Sequence, residues 1–83
     1  MSLSDNVRRL RHARFLTQAE LATKASVTPV TVARIEAGGY VPYVRTIRQL
    51  AEALGVQPAE LISPDELEAG RRRSGASKGK AAA

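Results

Sequence analysis

Thr28, Val30, Thr31 and Arg34 are the residues of this chain best suited to recognition chemistry. At spacings of three and four they share one face if residues 28–37 are helical. Arg34 carries a planar guanidinium that can donate two parallel hydrogen bonds, and the Val and Thr methyls lie beside two hydroxyls. That set fits the edges of nucleic-acid bases, where a guanidinium matches guanine bidentately and a methyl packs on the C5 methyl of thymine. Pro29 and Val30 add no hydrogen-bonding side chain. Direct readout through this face would therefore be thin, leaning on Arg34, Thr28, Thr31, methyl contacts and DNA shape. Catalysis has no comparable candidate. No nucleophile with a base, paired carboxylates or phosphate-cradling glycine loop can be assembled, so the chain is read as a non-enzyme. The lone histidine, His12, cannot build a metal centre and there is no Cys, so no metal or cofactor is expected.

The stretch from Thr17 to Gly38, TQAELATKASVTPVTVARIEAG, positions this face. Thr17 and Glu20 form a capping box at the start of a short helix with Leu21, Ala22 and Ala25 on its small-residue face. That helix ends near Ser26, and Val27 plugs the turn. Thr28 and Pro29 repeat the start signal, because Pro at the first helical position loses only an N–H that would be unbonded anyway. Val32 and Ile35 turn inward. Two helices this short, joined by about three residues, cross steeply.

The flanking chain supplies the support. Leu3 to Phe15 reads as a first helix capped by Ser4, with Val7, Leu10 and Ala13 on one side and Arg8, Arg9, Arg11 and Arg14 on the others. Gly38-Gly39 stops the helix that carries Arg34, and Tyr40 to Tyr43 is an extended connector because Pro42 biases Val41 away from helical angles. A fourth helix runs from Val44 to Leu54 on the stripe Val44, Ile47, Leu50, Ala51 and Leu54, and Gly55 ends it. Val56 to Ile62 reads as a short fifth helix. Ser63 and Glu66 then make another capping box for one or two turns that end by Gly70. No period-two alternation or hairpin dipeptide appears, so no strand is expected. The fold class is all-α: a compact five-helix domain over residues 1–70 with a short sixth helix, and a disordered basic tail over residues 71–83.

Charge refines the partner. The net charge is +5, yet residues 1–70 hold eight Lys/Arg and eight Asp/Glu, so the whole excess lies in Arg71, Arg72, Arg73, Lys78 and Lys80. The domain is not basic overall, and a nucleic-acid footprint on it must come from uneven placement of charge. A chain of 83 residues buries about 60% of its unfolded surface, which leaves no room for a large cavity. No apolar run approaches the roughly 20 residues of a membrane span, and the N-terminus lacks a signal peptide's apolar core. With no Cys for a disulfide, a cytoplasmic protein with no membrane partner is expected.

Several motifs now meet: R-x-x-R in the first helix, L-T-Q-x-E-L-A, V-T-x-x-T-V-x-R-I-E-x-G, a Pro four residues on, and L-A-E-A-L-G-V. From Ser4 to Ile62 the chain resembles the helix-turn-helix family of lambdoid phage repressors, Cro proteins and xenobiotic-response-element-type (XRE) regulators. The resemblance implies a recognition helix over residues 28–37 in the major groove of double-stranded DNA, with base contacts from Thr28, Pro29, Val30, Thr31 and Arg34. It implies phosphate contacts from Thr17, Gln18, Lys24, Gly39, Tyr40, Tyr43 and Arg45, and a structural salt bridge between Arg11 and Glu36. Three features depart from the family, one of them the Pro29-Val30 pair where many relatives carry Gln, Ser or Arg. Ser26 stands where Gly is frequent, so a left-handed backbone there is mildly strained. Phe15 also replaces a frequent Gly and is read as a buried anchor.

The leading function is a sequence-specific transcriptional regulator, a homodimeric repressor. Its self-contact is placed in residues 56–67, where Leu61, Ile62 and Leu67 exceed what so small a core needs. The alternatives are an antitoxin that binds both DNA and a toxin protein, and a protein-interaction adaptor that no longer binds DNA. Arg71, Arg72 and Arg73 in the tail are assigned to DNA phosphates. Deleting residues 71–83 should weaken binding to every duplex alike and flatten the salt dependence by about 0.9 in log–log slope for each phosphate the tail neutralises. A salt titration on full-length and truncated protein checks this, and unchanged slopes would remove the tail from the interface.

Overall fold

Apolar residues at spacings of three and four wind this chain into helices that share one core. The computed structural model describes residues 2–74, with side chains through residue 69. The elements are α1 (Leu3–Ala13), α2 (Gln18–Ala25), α3 (Pro29–Ala37), α4 (Val44–Leu54), a single 3-10 turn at Pro58–Glu60, and α5 (Pro64–Ser74); there is no strand among the described residues. Leu3, Val7 and Leu10 of α1 meet Leu21, Ala22 and Ala25 of α2, Val32 and Ile35 of α3, and Ile47, Leu50, Ala51 and Leu54 of α4. Leu61 and Ile62 complete the core. Asn6 reinforces that closure from a buried position, its amide donating to the Leu61 carbonyl at 2.8 Å. An unmade bond to that buried carbonyl would cost about 1–3 kcal/mol, so the contact fixes where the chain after α4 returns to α1.

Helix starts follow the side chains that cap them. Thr17 accepts from the Glu20 amide at 3.0 Å while the Glu20 carboxylate accepts from the Thr17 amide at 2.8 Å. Thr28 accepts from the Thr31 amide at 3.2 Å, with Pro29 at the first helical position. The Ser63 hydroxyl accepts from the Glu66 amide at 3.1 Å and the Glu66 carboxylate accepts from the Ser63 amide at 3.3 Å, the reciprocal pair expected for α5.

Helix ends share one device. After α1, α2 and α4 a left-handed residue turns the chain, at Phe15 (φ 56°), Ser26 (φ 60°) and Gly55 (φ 74°). In each case the next amide reaches back five residues, Leu16 to Arg11, Val27 to Ala22 and Val56 to Ala51, at 2.9–3.1 Å. These are Schellman closures, and only one of the three uses the residue that adopts this conformation without steric cost.

Several expectations change. Ser2, not Ser4, caps α1, because its hydroxyl is the one that reaches the Asp5 amide, at 3.2 Å. The first helix ends at Ala13, two residues early, since the left-handed closure needs Arg14 and Phe15. Phe15 is no buried anchor: it is 92% exposed, because that left-handed backbone turns its side chain off the core. The fifth helix over 56–62 is reduced to the 3-10 turn at Pro58–Glu60, where two bonds of the i→i−3 type form before the chain must bury Leu61. Leu61 is sealed in the core and Ile62 keeps only an edge on the cleft beside Leu67, so the two leave little surplus of their own for a partner. The backbone of α5 also passes Gly70 to Ser74, so Arg71, Arg72 and Arg73 continue a helix, although their side chains and all of residues 75–83 lie outside the described residues.

Ser26→Gly should stabilise the domain. It relieves a left-handed strain of about 1–2 kcal/mol against an added unfolded-chain entropy of about 0.4–1 kcal/mol. The net gain of about 0.5–1 kcal/mol corresponds to a rise of a few degrees in Tm. A thermal melt that shows no gain would contradict the strain assigned to this turn.

Candidate nucleic-acid interface

The turn after α2 presents the N-terminal end of α3 outward. Thr28 and Pro29 are exposed, Val30 is 64% exposed, Thr31 is half-buried and Arg34 is exposed. Val32 and Ile35, on the opposite side, are sealed in the core. The helix therefore divides cleanly into a face that holds it and a face that is offered. The Thr28 and Thr31 hydroxyls lie 3.0 Å apart, so each is oriented by the other while keeping further hydrogen-bonding capacity.

Arg34 differs from most charged groups in the domain. Its guanidinium carbon lies 4.6 Å from the centre of the Tyr40 ring, and it has no hydrogen-bond or ion-pair partner among the described residues. A guanidinium stacked on an aromatic face is held by the ring quadrupole and keeps its N–H donors.

Behind this face lies a buried polar hub. Glu36, near the end of α3, is 8% exposed and accepts from Arg11 of α1 through both carboxylate oxygens, Nε to Oε2 at 2.6 Å and a terminal nitrogen to Oε1 at 2.9 Å. The third guanidinium nitrogen of Arg11 donates to the Leu16 carbonyl at 2.8 Å, in the link to α2. Gln18, the first residue of α2, donates its amide to Glu36 Oε1 at 3.1 Å, and Arg8 donates to the Glu36 carbonyl at 3.3 Å. Burial alone pushes the Glu36 carboxyl up; the hydrogen bonds from Arg11 and Gln18 and the charges of Arg11 and Arg8 outweigh it and hold the group below its ordinary value. The same carboxylate bond raises Arg11.

The residues expected at the interface thus fall into three sets. Arg11, Glu36 and Gln18 come together in the hub, so Gln18 carries one amide N–H inward and has one left to give outward. Thr28 and Thr31 form a second pair, and Arg34 with Tyr40 a third. Thr17 spends its hydroxyl in the α2 cap, while the side chains of Lys24, Tyr43 and Arg45 are exposed without an internal hydrogen bond among the described residues, and Gly39 is exposed in the loop. Residue spacing did not foretell the stack of Tyr40 on Arg34. Its signal is the pair of glycines between them, which allows residue 40 to double back. No group of His, Cys, Asp or Glu among the described residues could hold a metal ion, and none of their helices is long and apolar enough to cross a membrane.

With this geometry in place, comparison with known proteins is specific. A family described as helix-turn-helix domain matches residues 2–62. The chain is 37% identical over 71 residues to an uncharacterized HTH-type transcriptional regulator of Sinorhizobium fredii, covering 84% of this chain and 92% of that protein. It is 33% identical over 67 residues to the immunity repressor protein of Bacillus phage phi105, covering 81% of this chain but 46%, less than half, of the repressor's length. No solved structure matches the chain.

Removing the hub carboxylate should be expensive. Glu36→Ala would strand the largely enclosed Arg11 guanidinium, whose side chain is 11% exposed, and lower stability by about 3 kcal/mol. Because folding depresses the Glu36 pKa, the pair contributes fully above the ordinary carboxylate pKa, and its contribution is lost as pH falls through the lower folded value. Denaturant melts of wild type and Glu36→Gln across the acid range check this. Parallel curves for the two proteins would show that Glu36 is not the group being titrated.

Proposed function

The chain belongs to the helix-turn-helix domain family, and on that premise we propose that it is a sequence-specific, DNA-binding transcriptional regulator, a homodimeric repressor that reads the major groove with residues 28–37. The observation that carries this reading is Arg34: an exposed guanidinium on the outward face of α3, without an internal hydrogen-bonding partner, beside Val30 and Thr31. The stack on Tyr40 contributes only about 0.5–1 kcal/mol at an exposed site and leaves the N–H donors unspent, and a guanine edge takes two of them. Pro29 and Val30 offer methylene and methyl contact to thymine instead of hydrogen bonds.

Phosphates flank the reading head in this proposal. The outward N–H of Gln18, at the N-terminus of α2, and the free backbone amides beside it suit one phosphate. Lys24, Arg45, Tyr43 and the backbone at Gly39 serve the neighbouring segment, and Arg71, Arg72 and Arg73 add affinity without sequence preference. The sign of regulation follows the phage relative, whose name is that of a repressor. A cytoplasmic site of action accompanies that role.

The self-contact keeps its place in residues 56–67 but rests on a different surface. Since Leu61 faces the core and Ile62 shows only an edge, the available surface is the apolar cleft of about 260 Å³ where Val44, Ile47 and Arg48 of α4 meet Pro58, Ala59, Ile62, Pro64 and Leu67. Two half-sites one helical turn apart would then be read by two copies of α3.

Selection of bound sequences from a random DNA pool, with the oligomer mass measured alongside, tests the proposal. On the selected operator Arg34→Ala should cost about 1–3 kcal/mol, roughly 5- to 150-fold in Kd, while binding to random duplex changes less than about twofold. Equal losses on both DNAs would assign Arg34 to phosphate, and a monomeric mass on the operator would remove the dimer.

A further inference from the structure

We propose that Tyr40 is a positioning residue for sequence readout, holding the Arg34 guanidinium in the pose from which it meets a guanine edge; this rests on the DNA-reading role proposed above. Three observations carry it. Arg34 is exposed and its charge rests 4.6 Å from the Tyr40 ring centre, with no other polar partner among the described residues. Tyr40 is not a loose surface ring: it is half-buried, packs against the core, and lines a cleft of about 270 Å³ with Leu3, Ile35 and Val41. Gly38 and Gly39, at φ 92° and 77°, turn the chain back so that residue 40 returns over the last turns of α3. Side chains resist both angles, so the reversal that creates the stack is specific to this pair.

The physical consequence is preorganisation. A long exposed side chain loses rotamer freedom when it docks, and an arginine already held against an anchored ring loses less at that moment. Stacking uses the face of the guanidinium, whereas base recognition uses N–H groups in its plane, so the two contacts do not compete. Tyr40 would thus act on sequence preference through Arg34, whereas a phenol hydroxyl on a phosphate would act on every sequence equally. The two roles make opposite predictions for Tyr40→Phe.

Affinities of wild type, Tyr40→Phe, Tyr40→Leu, Arg34→Ala and the Tyr40→Leu/Arg34→Ala double variant are measured on the wild-type-selected operator and on random duplex. Proton spectra of the free proteins are recorded alongside. Tyr40→Leu should weaken operator binding about three- to tenfold and random binding less than about twofold. Tyr40→Phe, which keeps the ring, should match wild type on both DNAs, and Tyr40→Leu should add no loss once Arg34 is Ala. In free wild-type protein the Arg34 δ-methylene protons should be shifted upfield by the ring, and Tyr40→Leu should remove that shift. The inference is overturned if Tyr40→Phe loses as much as Tyr40→Leu on both DNAs, if the Leu effect persists without Arg34, or if wild type shows no upfield shift. The last result decides the matter even if Tyr40→Leu fails to fold. Wild-type protein that selects no sequence at all overturns the DNA-reading role and this inference with it, an outcome visible before any variant is made.

Discussion

Glu36 is where the first three helices are tied to one another. Its two carboxylate oxygens take both of the parallel donors that Arg11 offers, one of them also receives Gln18, and its carbonyl receives Arg8. Each partner comes from a different direction, α1 from one side and the start of α2 from another, so the carboxylate is a vertex whose angles set the angle between helices. A hydrophobic contact could hold these helices together, but it would tolerate sliding. Charge-assisted bonds at 2.6–3.1 Å do not. That rigidity bears on α3 in particular, because the last turn of α3 is anchored here while its first turn carries the outward face. Burial without this satisfaction would be destabilising, and no buried polar side-chain atom among the described residues lacks a partner.

What could be read from the amino-acid order alone was whatever depends on near neighbours. The capping boxes at Thr17 and Ser63 and the Thr28 cap before Pro29 are local bonds between residues three apart, and each appears as its sequence implies. The stripe of α4 has a period that only a helix satisfies, and Ile47, Leu50, Ala51 and Leu54 are all buried. Misreadings fell where two local solutions compete. Ser2 and Ser4 are equivalent candidates by type, and the choice between them depends on which hydroxyl reaches Asp5. Phe15 looked like core by composition, but the closure of α1 fixed its backbone first and its side chain followed outward. Leu61 and Ile62 looked surplus because a sequence does not reveal how much core four short helices leave unfilled. At the candidate site the face of α3 was legible from spacing. The Tyr40 ring over Arg34 was not, since it depends on a reversal through two glycines, which permit many paths and specify none.

Charge and shape divide the labour in this domain. With acidic and basic residues in balance over residues 1–70, long-range attraction does little to orient it. Placement must then do what net charge does not. Three exposed cations stand on separate elements, Lys24 late in α2, Arg34 in α3 and Arg45 at the start of α4, whereas Arg11 is withdrawn into the hub. In the proposed complex a polyanion would meet a geometry of single charges, and the register between those charges would carry the information.

The left-handed residues at Phe15 and Ser26 flank the two ends of α2. Together with the cap at Thr17 they fix that helix by backbone handedness and by a side chain at its start, while Leu21, Ala22 and Ala25 pack it against the interior and Gln18 bonds it to Glu36. Its outer positions Ala19, Glu20, Thr23 and Lys24 are exposed, and of these only Glu20 has a structural duty, in the cap. Ala19 and Thr23 are consequently open to rewriting without disturbing the frame, which makes the back of α2 a mounting plate: a surface onto which new binding sequences could be grafted, by drift or by design, while the outward face of α3 stays in place.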